Sequence, residues 1–283
     1  MLVLVVQVLL GFDYRAVFES SFESLPLALQ YTKLGSLGAQ LLVLGLLLAI
    51  PSYHRLVEDG ENTEAFCVVI RKFMTWSLPP FALSLGGEFA VPGYKLFGLA
   101  GGICSGVGAS AIAYFFWHIF PKLSRKKGTE QSMNKKESVS LTDKIKQTLT
   151  EARVVLPGTQ ALLGFQLITF LAPSFEKLPY DLKIAHSIAL TFTGLSAILL
   201  MTPPAYHRIA EAGDASAHFH RLASRFLVAA MGFLALGLAV DFYVVLAKVT
   251  QSLFWTTIFS SSALLLLYGF WFAYPLVARR GRS

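Results

Sequence analysis

An all-α membrane fold is what this sequence predicts: eight transmembrane helices, arranged as two parallel four-helix repeats. Three observations carry the prediction. Hydrophobic residues make up 54% of the 283 and charged residues only 14%, well under the roughly 25% with which a water-soluble domain covers its surface. The apolar runs are long enough to span a bilayer, which takes about 20 helical residues. The third observation is internal: Gln7-Val8-Leu9-Leu10-Gly11-Phe12 returns 153 positions later as Gln160-Ala161-Leu162-Leu163-Gly164-Phe165. Phe22-Glu23-Ser24-Leu25-Pro26 returns as Phe175-Glu176-Lys177-Leu178-Pro179, and Pro51-Ser52-Tyr53-His54-Arg55 as Pro204-Ala205-Tyr206-His207-Arg208. Between the pairs 7/160 and 73/226 there are 67 gapless pairs, 23 of them identical. Such self-similarity within apolar sequence reads as a tandem duplication inside a membrane.

The first repeat covers 1–120, with spans at 2–20, 31–51, 66–90 and 94–120. The second covers 154–277, with spans at 154–172, 184–204, 219–245 and 253–277. Unbroken apolar runs give helices, because barrel strands would alternate over about ten residues. The apolar start, Met1 to Leu10, has no basic flank and no small-residue cleavage site, so it reads as the first membrane helix. Asp13, Arg15 and Glu19 make that span the least apolar, and Asp13 with Arg15 suggests a charge pair. Pro79-Pro80 predicts a kink in the third span. Cys67 and Cys104 have no CxxC spacing and read as buried small side chains.

Lysine and arginine asymmetry sets the orientation. The 121–153 connector holds Lys122, Arg125, Lys126, Lys127, Lys135, Lys136, Lys144, Lys146 and Arg153 against four carboxylates. The 278–283 tail adds Arg279, Arg280 and Arg282. Both segments are placed in the cytoplasm with both termini, and four spans per copy give both copies the same orientation. The partners this implies are the lipid bilayer and anionic lipid headgroups at the connector. The net charge of +7 is thereby explained without nucleic acid. A homo-oligomer is left open.

Leu162-Leu163-Gly164-Phe165-Gln166, the Phe175 to Pro179 loop and Pro203-Pro204-Ala205-Tyr206-His207-Arg208 together resemble a family of small, uncharacterised bacterial integral membrane proteins. The resemblance runs from about Arg153 to Pro275, and the first copy has drifted from it at Asp13 and Arg15. It implies a four-helix unit and a bacterial cytoplasmic membrane, and it supplies no activity.

Several residues are candidates for function. Tyr53-His54-Arg55 and Tyr206-His207-Arg208 fall at the cytoplasmic ends of spans two and six. An interfacial belt with a snorkelling arginine is the favoured reading, and a symmetric pair of titratable histidines the other. His207, His218 and His220 are weak metal candidates, since His-x-His on a helix turns the two rings about 200° apart. No metal and no cofactor is assigned. His118 and His186 offer a haem reading but lie toward opposite faces. Glu88 aligns with Asp241, each followed by phenylalanine. An acid in the third span of both copies points to ion or proton transfer, unless both lie at the outer headgroup level, about one turn from the loop. Gly98, Gly102, Gly106 and Ser110 make a small-residue stripe for close helix packing. No phosphate loop, nucleophile elbow or HExxH appears. A non-enzymatic scaffold or regulatory role is therefore favoured. A proton- or ion-coupled transporter or channel comes second, and a membrane haem or redox protein third.

Overall fold

The computed structural model describes residues 2–58, 63–119, 141–209 and 217–280, and within these the chain is helical throughout, without strands. In order, the helices are α1 (Leu2–Val17), α2 (Ser20–Glu23), α3 (Leu27–Leu56), α4 (Glu64–Tyr114), α5 (Leu141–Thr169), α6 (Pro173–Glu176), α7 (Tyr180–Ile209), α8 (Ala217–Thr250), α9 (Leu253–Tyr268) and α10 (Tyr274–Arg280). Wider π-helical turns follow α4 at Phe115–Ile119 and α9 at Gly269–Ala273.

Five described segments are long and apolar enough to cross a membrane: Leu27–Leu56, Glu64–Trp117, Tyr180–Pro204, Ala217–Thr250 and Leu253–Arg280. Helix α1, at 16 residues, rises only about 24 Å against a hydrocarbon layer of about 30 Å. Helix α5 begins with the charged Leu141–Arg153 stretch, which dilutes its apolar half.

Helix α4 doubles back on itself. Gly98 has φ 69, the one non-helical residue inside α4, and it separates two arms, 64–97 and 99–114. The arms lie against one another: Ser105 Oγ donates to the Phe89 carbonyl at 2.8 Å. A Cβ on Gly106 would stand 2.9 Å from the Gly86 carbonyl oxygen, and one on Gly86 would stand 2.1 Å from Ser110 Oγ. Gly102, Gly106 and Ser110 thus face the first arm, so the backbones can approach closely. Gly98 is not part of that contact; it is the turn. The loop expected near Pro92-Gly93 is helical instead. Pro79, Pro80 and Pro92 all lie within the helix, a placement membrane helices tolerate because neighbours re-satisfy the freed carbonyls.

The second half has the same order of elements. Ser20–Glu23 and Pro173–Glu176 start 153 positions apart, as do Leu27–Leu56 and Tyr180–Ile209. Among the described residues two have positive φ, Gly98 (φ 69) and Gln251 (φ 50); they too are 153 apart, and Gln251 joins α8 to α9. The Phe12 and Phe165 rings, again 153 apart, meet with centroids at 4.4 Å where α1 packs on α5. The halves differ in how their hairpins sit. Helices α9 and α10 with their π-turn pack on α3, where Trp271 Nε1 donates to the Gly45 carbonyl at 2.9 Å. The second arm of α4 stays peripheral, with Leu99, Ile103, Val107 and Ile112 exposed.

Candidate functional site

Two buried polar clusters stand out in this apolar framework. The first joins Asp13 of α1, Lys33 and Gln40 of α3, and Glu88 of α4. Lys33 Nζ donates to Asp13 Oδ1 at 2.5 Å and also to Glu88 Oε2. Gln40 Nε2 donates to Asp13 Oδ2 at 2.9 Å and reaches Glu88 Oε1 at 3.4 Å. Asp13, Lys33 and Gln40 are buried. Helix geometry sets the arrangement: Lys33 and Gln40 are seven apart, two turns along one face. Two carboxylates thus share one ammonium.

The second cluster joins Gln166 of α5, His186 and Thr193 of α7, and Asp241 of α8. His186 Nδ1 lies 2.9 Å from Asp241 Oδ1, and its Nε2 lies 3.0 Å from the Gln166 carbonyl oxygen. Gln166 Nε2 donates to Asp241 Oδ2 and to Thr193 Oγ1 at 3.0 Å. Both partners of the imidazole are acceptors, so filling both bonds takes the doubly protonated ring. The cluster is then a cation on a carboxylate, as in the first. All four residues are buried. Asp13 and Gln166, Lys33 and His186, Gln40 and Thr193, Glu88 and Asp241 are each 153 positions apart.

These clusters revise several sequence-based placements. Glu88 and Asp241 lie ten residues before the turns at Gly98 and Gln251, about 15 Å along the helix, rather than one turn from a loop. Asp241 is buried and Glu88 half-buried. Asp13 pairs with Lys33, while Arg15 pairs instead with Glu19 at 2.7 Å. His186 has both ring nitrogens engaged, which leaves none for haem iron, and the side chain of His118 lies outside the described residues. Lys33, Gln40, Gln166 and Thr193 were missed. Polar residues at matching offsets within apolar spans were the available signal.

The Tyr-His-Arg motif of the first half is buried among the helices rather than exposed on their surface. Tyr53 is 4% exposed, His54 0% and Arg55 7%. His54 Nδ1 and Arg55 Nε meet the two oxygens of Glu151, on α5, at 2.8 and 2.7 Å. The Tyr53 ring stacks on Phe66 at 6.4 Å, and Tyr206 stacks on Phe219 at 6.1 Å. The side chains of His207 and Arg208 lie outside the described residues. Among the described residues no three histidine, cysteine or carboxylate side chains gather as a metal site. His218 is exposed and His220 buried.

Comparison with known proteins adds one finding. Residues 136–275 match the model of a family of unknown function, DUF6328. The match contains the whole of the second cluster and Glu151, and it stops short of the first cluster. No curated protein and no solved structure matches the chain.

Proposed function

We propose that the protein is a multi-pass component of a bacterial inner membrane, without catalytic activity, serving as a scaffold or in regulation. In this reading it has eight spans, as two parallel four-helix repeats with both termini cytoplasmic. A buried acid–base cluster on the outer side of each repeat fastens three of its helices. The observation that carries the proposal is the correspondence of the two clusters. Position for position, Asp13/Lys33/Gln40/Glu88 is answered by Gln166/His186/Thr193/Asp241, and each carboxylate is taken up by side chains of its own half. Groups so paired tie helices together, whereas an isolated charge in hydrocarbon is costly. The equal spacing of helix starts and of the Gly98 and Gln251 turns supports the duplication.

A second reading is a proton- or ion-coupled transporter. It is favoured by the acid kept at one position in each half and by Tyr14, whose buried hydroxyl lies in the field of Asp241 without a hydrogen-bond partner. Proteoliposomes carrying Glu88→Gln and Asp241→Asn separate the two. Fastening predicts less folded protein and no change in proton or sodium flux. Transport predicts abundant folded protein with the flux lost.

A further inference from the structure

The start of α7, the end of α8 and the start of α9, with Glu23 and Ser174, line an open cavity of about 490 Å³. Leu178, Leu182 and Ala247 supply its apolar wall, and Lys177, Lys248, Asp181 and Glu23 supply its charges. Lys248 is an unusual wall residue. Its side chain is only 11% exposed, and it reaches across the chain to Glu23 Oε1 at 2.9 Å. A second cavity, of about 460 Å³, shares Glu23 and Lys248, so this ion pair stands between the two spaces. Ser174 also lines the first cavity; it is 2% exposed, and its hydroxyl faces the Glu23 carboxylate.

The charge count is informative. With Glu23 in place, two lysines face two carboxylates and the cavity is neutral. Glu23 sits on the four-residue α2 with its side chain 48% exposed, so its carboxylate can turn out into solvent. Once it leaves, one positive charge and the Ser174 hydroxyl that had faced it remain beside an apolar wall. That is the complement of an anion, and phosphate groups suit lysine ammonium and hydroxyl donors. The adjoining Leu253, Phe254 and Trp255 are exposed, as side chains that anchor at the headgroup level are.

We propose that this cavity binds a phosphate group, held by Lys248 and Lys177 with Ser174 as donor, and that Glu23 is its built-in competitor. The phosphate belongs either to a free anion or to the headgroup of an anionic lipid, and one experiment separates these sources. The purified full chain is titrated with inorganic phosphate in neutral detergent. It is also reconstituted into nanodiscs of phosphatidylcholine with and without phosphatidylglycerol, with the thermal unfolding midpoint read throughout. A phosphate response in detergent identifies a free anion; a response only to phosphatidylglycerol identifies a headgroup. In the responding arm, Glu23→Gln should strengthen binding about tenfold, as loss of a charged competitor worth about 1.4 kcal/mol would. Lys177→Gln, a surface change that spares the fold, should weaken it by a similar factor. No response in either arm overturns the proposal, and so does a response identical in all three proteins.

Discussion

Arg55 Nε donates to Glu151 at 2.7 Å across 96 residues of chain, and the neighbouring His54 holds the other carboxylate oxygen. This joins the end of the third helix to the start of the second half of the molecule. Arg55 is nearly buried, and its Nη1 and Nη2 have no hydrogen-bond partner, so Glu151 is its one counter-charge among the described residues. Glu151→Gln leaves a buried guanidinium uncompensated, at a cost of about 3–5 kcal/mol. The check is denaturant unfolding of the purified protein, with Glu151→Asp as the milder comparison.

Lys33 stands between Asp13 and Glu88. Lys33→Met should therefore be severe, because it leaves two carboxylates facing each other. The triple change Asp13→Asn, Lys33→Met, Glu88→Gln removes all the charge and should recover most of the folded yield. Fluorescence-detected size exclusion of the two variants measures this. Equal yields would mean that the ammonium does not compensate the acids.

Helical class was legible in the sequence, and so were the five described helices long and apolar enough to cross a membrane, because bilayer-length apolar runs admit little else. The turn inside α4 was not: Pro92-Gly93 resembles a loop, yet proline is tolerated in membrane helices and the positive φ falls at Gly98. Lys33 lies inside the second predicted span, where a lone lysine is expensive. Only its two carboxylate partners, 20 and 55 residues away, make its place affordable. The Tyr-His-Arg motif looked interfacial because nothing in the sequence brings Glu151 beside it. Glu88 and Asp241 were visible through their alignment, and the same alignment applied to polar residues would have reached Lys33/His186 and Gln40/Thr193.

The α4 hairpin makes its own prediction. Gly106 faces the Gly86 carbonyl, while nothing lies within 4 Å of a Cβ on Gly108. Gly106→Leu should separate the arms and lower the unfolding midpoint by several degrees, whereas Gly108→Leu should be silent. At the matching turn, Gln251 holds a left-handed φ of 50, so Gln251→Gly should stabilise by about 1 kcal/mol. Chemical unfolding of the three variants tests both statements.

The Glu23–Lys248 bridge gives a pH signature. The hydrogen bond and charge of Lys248 hold the Glu23 carboxyl below its ordinary value. With a depressed folded-state pKa, its stabilisation is full above the unfolded carboxylate value, about 4.3, and is lost as pH falls through the lower folded value. The difference in unfolding midpoint between wild type and Glu23→Gln should thus be constant from neutral pH down to about 5 and vanish in stronger acid. A difference that grows on acidification would contradict the bridge.

Asp241 tests the central claim most directly, because it receives both His186 and Gln166 inside the bundle. The measurement is the unfolding free energy of Asp241→Ala in detergent, against wild type. Fastening by the buried cluster predicts a loss of about 3 kcal/mol, from an unpaired imidazole and amide left in an apolar interior. A variant as stable as wild type would contradict it.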